Sequence, residues 1–250
     1  MTGMLSSEEI ACMRQIGRVA AIILKKLGKC VRPGVTTKYI EESFDNYLKE
    51  YPGMESAFKG FMGYPASLCV SINDEVIHGI PSDKREICEG DLVSIDLGIK
   101  QKGLFVDTAY TYIAGRADKL AKKLVKASLK SLYAGIKKAK PQATIGDIGS
   151  AVQNFVEGQG FAVVRQFVGH GIGRALHLPP EVPNFGTPGE GDKLFEGMAI
   201  AIEPMITAGK YDVVVASDGW TAKTRDGSLS AHFEHTIAIT KKGPLILTRI

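Results

Sequence analysis

Four acidic side chains and one histidine are the residues of this 250-residue chain that could together do chemistry. The acids are Asp96, Asp107, Glu203 and Glu234. They fall in segments whose apolar, β-branched and aromatic residues predict strands, at residues 92–96, 106–113, 199–203 and 231–239. His170 lies in the sequence Val-Gly-His-Gly-Ile-Gly, whose glycines leave room for backbone or a ligand to approach. One such acid alone could be a strand end exposed to water, but the recurrence of the pattern favours a shared site.

The first two acids are predicted to face each other across a β-hairpin. Their strand-like segments flank the turn-like sequence Lys-Gln-Lys-Gly, and a turn centred on Gln101 and Lys102 sets Asp96 directly opposite Asp107. Cross-strand Cβ atoms lie about 4.5–5.5 Å apart. Two carboxylates that close repel each other unless they share a proton or a cation. Apolar neighbours on both segments predict burial, which raises the cost of leaving these charges unpaired.

The combined set has the chemistry of a hard metal site. Four carboxylates carry a formal charge that two divalent cations balance, and two metal ions about 3.5–4 Å apart are a known hydrolytic device. Oxygen-rich ligands suit manganese, iron(II) or cobalt at least as well as zinc. The four cysteines are scattered without a C-x-x-C pair, which argues against a zinc ribbon and favours a reducing compartment. They are Cys12, Cys30, Cys69 and Cys88.

Several other function classes find no support. The glycine-rich segment at His170 is G-x-G-x-G and soon meets Pro179, so it is no dinucleotide fingerprint. The sequence at residues 232–235, His-Phe-Glu-His, is not the H-E-x-x-H zinc motif, and neither a phosphate-binding loop nor a G-x-S-x-G elbow occurs.

The net charge of +4 is too small to indicate nucleic acid by itself. The longest apolar run, residues 19–24, is far shorter than the roughly 20 residues of a membrane span. The amino terminus lacks a signal-peptide pattern, so we expect a cytoplasmic protein that does not bind membranes.

The chain also contains an internal repeat. A capping box of Ser6 with Glu9 predicts a first helix, and a second is predicted from residues 36–37. A lysine-rich helix from about residue 117 and a further helix from Thr144 follow at an offset of 108 residues. Two strands of the form Glu-Gly, apolar run, carboxylate recur at an offset of 107 and end in Asp96 and Glu203. We predict one domain over residues 1–250 with repeat-related halves at about 7–115 and 116–248, whose acid-bearing strands share a core covered by helices.

The lysine-rich helix carries the one marked concentration of charge. Its lysines at near-helical spacing are Lys119, Lys123, Lys126, Lys130 and Lys137. A solvated helix face is the favoured interpretation, and weak attraction to a polyanion is the alternative.

In combination and order, these residues resemble type I methionine aminopeptidases over residues 7–240. The matching segments are Gly63-Tyr64-Pro65, Ser71-Ile72-Asn73, His78-Gly79-Ile80-Pro81, Asp96-Leu97-Gly98, Asp107, Gly169-His170-Gly171-Ile172-Gly173, His177, Ala201-Ile202-Glu203-Pro204-Met205 and His232-Phe233-Glu234-His235-Thr236. The resemblance implies the pita-bread fold. In this α+β architecture an antiparallel sheet has internal pseudo-two-fold symmetry and helices cover its outer face.

The same resemblance implies an activity and a metal-ligand set. The family's enzymes remove the initiator methionine from new polypeptides, usually before a small residue, with a bridging water activated by two metal ions. The ligands that match by position are Asp96, Asp107, His170, Glu203 and Glu234. Asp107 and Glu234 match the two that bridge both ions, His170 and Glu203 would complete one ion, and Asp96 the other. Cobalt, manganese, iron and zinc are the candidate metals.

Further roles carry over in the same way. His78 matches the histidine that contacts the substrate backbone, His177 matches the one that helps to stabilise the tetrahedral intermediate, and Glu203 is the candidate for moving protons. Residues that match or border the methionine pocket are Phe61, Tyr64, Cys69 and Trp220. A monovalent cation bound by backbone carbonyls is expected near Asn73 and Ser230.

The chain departs from the family's common pattern beside this pocket. Phe61 and Met62 stand in a segment that many relatives write G-Y-H-G-Y-P. Leu176 replaces a usual aromatic residue, and Leu178 replaces a usual glutamate. We expect these changes to affect the breadth of the pocket rather than the chemistry.

Two alternatives stay open from the sequence. A proline-directed peptidase of the same fold is the nearest, although such enzymes usually carry an extra amino-terminal domain. A non-catalytic binding module for a ribosome or RNA is the other, although such a protein should have lost metal ligands. For an enzyme we expect nascent polypeptide amino termini as substrates, weak ribosome association through the lysine-rich helix, and a monomer.

Overall fold

The computed structural model describes residues 4–249. The α-helices are α1 (Ser7–Gly28), α2 (Thr37–Leu48), α3 (Lys119–Lys138) and α4 (Ile145–Glu157). The strands are β1 (Glu55–Ser56), β2 (Cys69–Ile72), β3 (Glu75–Ile77), β4 (Leu92–Gln101), β5 (Leu104–Ile113), β6 (Ala162–Val163), β7 (Gly169–Gly171), β8 (Leu178–Val182), β9 (Ala199–Ile202), β10 (Met205–Thr207), β11 (Val213–Val215), β12 (Ala222–Thr224), β13 (Ser230–His232), β14 (His235–Thr240) and β15 (Gly243–Ile246). No helix in this part of the chain has the length and hydropathy of a membrane span.

Helix starts follow the capping signals of the sequence. Ser6 accepts the Glu9 backbone N–H at 3.2 Å and donates its own N–H to the Glu9 carboxylate at 2.7 Å, which confirms the capping box. Thr36 and Thr144 cap α2 and α4 and stand 108 residues apart. Each also forms an isolated antiparallel bridge, to Glu86 and to Lys193. The amino-terminal ends of α2 and α4 are therefore built alike.

Antiparallel pairing dominates the sheets, as the α+β pita-bread expectation requires. Every strand pair within residues 4–249 is antiparallel. The hydrogen-bonded sheet is divided, however, and its two largest parts in that range have four strands around β4 and five strands in the order β15-β14-β9-β7-β8. Pro204 lies between β9 and β10 and has no N–H to donate, which fits an interruption of pairing at that point.

Two apolar clusters fill the two halves. α1 and α2 cover the first, and α3 and α4 cover the second. Ile40 and Phe44 of α2 are fully buried, as are their counterparts Ile148 and Val152 of α4. Burying a side chain of this size contributes about 1.5–3 kcal/mol. The helical faces predicted from the sequence are therefore the faces that hold the helices against the sheets.

The hairpin of β4 and β5 differs from the prediction by its register. Its turn is centred on Lys102 and Gly103, with φ angles of 50° and 75°. Positive φ at both central residues is the geometry of a type I′ turn, whose twist matches that of the strands. Asp96 consequently pairs with Ala109, two residues from Asp107 on the same strand. The prediction that the two acids are directly opposite is wrong: they are diagonal neighbours on one face.

The other acids also sit differently from expectation. Asp96 lies in the middle of β4, which continues to residue 101, and Glu203 comes directly after β9. The single strand expected over residues 231–239 is interrupted, because Phe233 and Glu234 separate β13 from β14. Glu234 instead donates its backbone N–H to the carbonyl of Ala109 on β5 at 3.0 Å.

Candidate metal centre

Three potential metal ligands from distant parts of the chain meet at one point. Asp107 on β5, His170 on β7 and Glu234 between β13 and β14 each offer a ligand atom, and these atoms all lie within 4.8 Å of one another. Asp107 and Glu234 are 4% and 2% exposed. The cluster is therefore shielded from bulk water.

The other two predicted ligands adjoin this cluster. Glu203 Oε1 lies 3.6 Å from His170 Nε2. The charge of Asp96 helps to raise the pKa of Asp107, and both side chains are buried. All five predicted ligands line one cavity of about 570 Å³. The structure thus brings together every side chain of the proposed set.

The electrostatics of the cluster are unfavourable for the protein alone. Burial raises the pKa values of Asp96, Asp107, Glu203 and Glu234, and the charges of neighbouring carboxylates raise them further for the last three. Burial also lowers the pKa of His170 to about 4, so its imidazole is neutral at pH 7. A neutral imidazole is the form that binds a metal ion.

Two carboxylate oxygens show that the residues fit a cation. Asp96 Oδ1 and Glu234 Oε1 are buried and have no hydrogen-bond partner among the described residues. A buried polar atom without a partner costs about 1–3 kcal/mol, and more when it is charged. Both carboxyl groups belong to the cluster of four acids, so a shared proton or a positive partner relieves the cost. A divalent ion with oxygen ligands is such a partner.

The glycines on either side of His170 allow close approach of neighbouring backbone segments. A Cβ on Gly169 would overlap the carbonyl oxygen of Ala201, and one on Gly171 would overlap that of Pro179. These residues therefore let β7 lie between its neighbours β9 and β8 and hold His170 at the cavity.

Hydrogen bonds tie the two halves together at the site. Thr108 donates its hydroxyl to the backbone carbonyl of Glu234 at 2.9 Å. Thr111 donates its hydroxyl to the carbonyl of His232 at 2.8 Å and accepts the N–H of His232 at 2.9 Å. β5 thereby fixes the segment that carries Glu234.

The predicted substrate residues line the same cavity. They are Phe61, Tyr64, Cys69, His78, His177 and Trp220. Phe61 and His177 have ring centroids 5.1 Å apart, and Tyr64 and Trp220 are also 5.1 Å apart, both pairs edge to face. The His177 ring lies 4.2 Å from that of His170. Aromatic walls and the acid cluster therefore belong to one compartment.

The positions where the chain departs from the pattern that it resembles are at this compartment as well. Met62 is 82% exposed at the rim, with a φ of 49°, whereas Leu176 is buried. Leu178 contributes to the wall from β8. Asn73 and Ser230, expected near a monovalent cation, are adjacent, because the Ser230 N–H donates to the Asn73 carbonyl at 2.7 Å.

Sequence reasoning missed two residues of the site. His232 is 1% exposed, both of its ring nitrogens are without a hydrogen-bond partner among residues 4–249, and its Nε2 lies 3.7 Å from Glu203 Oε2. Its position two residues before Glu234 was the available signal. Phe167 lies edge to face with His78, with ring centroids 5.7 Å apart, and no motif pointed to it.

Comparisons with known proteins agree with this geometry. A model of metallopeptidase family M24 matches residues 11–241. The chain is 47% identical over 240 residues to the methionine aminopeptidase of Clostridium acetobutylicum, covering 96% of each protein. The structure of methionine aminopeptidase from Thermotoga maritima superposes with a TM-score of 0.98 at 44% identity and covers 100% of both chains. The prolidase of Pyrococcus horikoshii has a TM-score of 0.79 at 24% identity, over 98% of this chain and 63% of that one, and shows a shared fold alone.

Proposed function

The chain belongs to metallopeptidase family M24 and, within it, to the type I methionine aminopeptidases, and from that membership we propose its reaction, ligand roles and substrates. The enzyme is an aminopeptidase that hydrolyses the initiator methionine from newly made polypeptides whose second residue is small. The observation that carries this proposal is the convergence of five ligating side chains in a cavity with aromatic walls.

Two divalent ions are the proposed cofactors, with cobalt, manganese, iron and zinc as candidates. Asp107 and Glu234 would hold both ions, His170 and Glu203 would hold one of them, and Asp96 would hold the other. Their mutual proximity and unpaired oxygens support this assignment. When bound, the ions supply a Lewis acid and lower the pKa of a water molecule.

The protein's own groups handle protons and charge. The Glu203 side chain is 12% exposed and lies beside His170 and His232. Desolvation and the charge of neighbouring Asp96 raise its pKa, so its carboxylate can take up a proton and pass it on. Burial lowers the pKa of His177, whose neutral ring can donate its one N–H to the developing oxyanion. His78, whose pKa burial lowers to about 4, contacts the substrate backbone in the same neutral form.

The methionine side chain is proposed to lie among Phe61, Tyr64, Cys69 and Trp220. These residues offer aromatic edges and a small sulfur-bearing wall, and a thioether packs well against aromatic rings.

The remaining expectations are part of the same proposal. The chain is a single catalytic domain of two repeat-related halves, monomeric and cytoplasmic, with a monovalent cation near Asn73 and Ser230. The exposed lysines of α3 attract the phosphates of a ribosome from which substrates emerge. Co-sedimentation with ribosomes that weakens as salt rises supports this association, and absent or salt-insensitive co-sedimentation contradicts it.

A peptide comparison tests the proposed reaction. The metal-loaded protein should release methionine from Met-Ala-Ser and leave an X-Pro peptide intact. Preferential cleavage of the X-Pro peptide would instead support the proline-directed alternative. Cleavage of neither peptide, with metal bound, would support the non-catalytic alternative.

A further inference from the structure

Strand β8 places an exposed carboxylate on the wall of the cavity. Its residues alternate, so that Pro180 and Val182 point into the core while Pro179 and Glu181 are exposed. Glu181 pairs with His170 across the β7–β8 register, and cross-strand partners project from the same face of a sheet. Pro179 and Glu181 accordingly line the cavity that holds His170.

Glu181 differs from the four acids of the metal centre. Asp96, Asp107 and Glu234 are buried and the side chain of Glu203 is only 12% exposed, whereas Glu181 is exposed. In residues 4–249 it forms no ion pair. Of the described residues that line the cavity, none is lysine or arginine. Its carboxylate is therefore available to a cation that arrives with the substrate.

The spacing indicates which part of a peptide Glu181 meets. Cross-strand Cβ atoms lie about 4.5–5.5 Å apart, so Glu181 stands about that far from His170 at the reacting centre. An extended peptide advances about 3.3 Å per residue. With methionine held by Tyr64, Cys69 and Trp220, the residue one to two positions beyond the scissile bond comes level with Glu181. A long side chain on the third residue of the substrate can reach its carboxylate.

We propose that Glu181 is a specificity-determining residue that favours substrates with lysine or arginine at the third position. The inference rests on the proposed function, because it needs methionine to occupy the aromatic end of the cavity. Glu181 binds the substrate side chain in the ground state and transition state alike. It therefore lowers KM and leaves kcat nearly unchanged.

Peptide amides of the form Met-Ala-X-Gly, which have no terminal carboxylate, test the proposal. In the manganese-loaded wild type, kcat/KM with X as lysine should exceed that with X as glutamine by about two- to fivefold, the range of an exposed ion pair. The difference should lie in KM and should shrink between 0.01 M and 0.1 M salt, as the Debye length falls from about 30 Å to about 10 Å. Equal KM values for the two peptides at low salt would overturn the proposal.

Variants test whether the preference for lysine depends on Glu181. Glu181→Gln should abolish the preference for lysine over glutamine, and Glu181→Lys should favour X as glutamate. Glu157→Gln is the matched control, because it removes an exposed carboxylate of α4 away from the cavity lining. A preference that survives in Glu181→Gln, or disappears in the control, would contradict the assignment. Failure of the wild type to cleave any of these peptides would contradict the proposed function itself, so the two failures are distinguishable.

Discussion

The side-chain hydroxyl of Thr236 forms hydrogen bonds with both backbone polar groups of Asp107. It accepts the Asp107 N–H at 2.8 Å and donates to the Asp107 carbonyl at 2.8 Å, and Thr236 is fully buried. Thr236 stands two residues after Glu234 and 129 residues from Asp107. One hydroxyl therefore sets the position of one proposed bridging ligand relative to the other, across the boundary between the two halves.

Replacing this hydroxyl should separate its structural and functional contributions. Thr236→Val leaves a buried N–H and a buried carbonyl without partners, at about 1–3 kcal/mol of unfolding free energy for each. Thr236→Ser keeps the hydroxyl and should lose only about 1 kcal/mol for the missing methyl group. Denaturant unfolding and metal-binding calorimetry check the pair. Thr236→Ser should retain the metal affinity of the wild type, whereas Thr236→Val should bind metal more weakly. Equal metal affinity in the two variants would remove Thr236 as a positioning residue.

Asp107→Ala should abolish hydrolysis of Met-Ala-Ser and retain the fold. The substitution removes a proposed bridging ligand, and it also removes a buried carboxylate whose neighbours Asp96 and Glu203 repel it. The metal-free variant should therefore be no less stable than the metal-free wild type. Circular dichroism and thermal unfolding check the fold, and methionine release checks the activity. Hydrolysis at the wild-type rate would exclude Asp107 as a bridging ligand.

The stability of the metal-free protein should depend on pH. Burial raises the pKa values of the four acids, that of Asp96 to about 7, and neighbouring charges raise those of the other three further, whereas the unfolded values are about 4. Stability from such groups is present at low pH and is lost as pH rises through the folded pKa. Buried histidines such as His170 and His232 have the opposite effect, because burial lowers their pKa values to about 4 and about 3. Their contribution makes stability rise with pH, but only below their unfolded pKa of about 6.5.

Above pH 6.5, of these acids and histidines, only the acids still differ in protonation between the folded and the unfolded state. The melting temperature of the metal-stripped protein should therefore fall from pH 6.5 to pH 8.5, and bound manganese should remove most of that fall because a cation favours the ionised carboxylates. Calorimetric scans with and without manganese check this. A metal-free melting temperature that rises over this range would contradict the electrostatic account.

The aromatic wall should control substrate affinity. Trp220→Ala removes the ring that lies edge to face with Tyr64 in the proposed methionine pocket. Loss of one sulfur–aromatic contact should raise the KM for Met-Ala-Ser by about two- to tenfold with little change in kcat. Tyr211→Ala is the control, since Tyr211 lies 4.7 Å from Arg165 and does not contribute to the described cavity wall. A similar KM in wild type and Trp220→Ala would exclude Trp220 from the pocket.

The helices and the composition of the site were predictable from the sequence because their signals are local. Ser6, Thr36 and Thr144 mark helix starts through hydrogen bonds within one turn. The recurrence of acids in strand-like segments indicated a shared site, although the sequence gives no distances between them.

What the sequence alone did not predict depends on single-residue turn chemistry and on tertiary contacts. The hairpin register depends on whether Lys102 is the first or the second of the two central turn residues. In the structure it is the first and has a positive φ, which is uncommon for lysine, so the sequence did not predict this turn. The break between β13 and β14 arises because Glu234 bonds to Ala109 of the other half. His232 was not predicted as a site residue because its proximity to Glu203, which is distant in the chain, is a tertiary contact.

Metal reconstitution shows whether the five clustered side chains hold ions that the reaction needs. The protein should be stripped of metal, titrated with manganese or cobalt, and assayed with Met-Ala-Ser at each step. Binding should saturate at two ions per chain, methionine release should appear only with metal, and Glu234→Ala should lose part of the binding capacity. Release of methionine by the stripped protein, or no metal-dependent release at saturation, would contradict the proposed reaction.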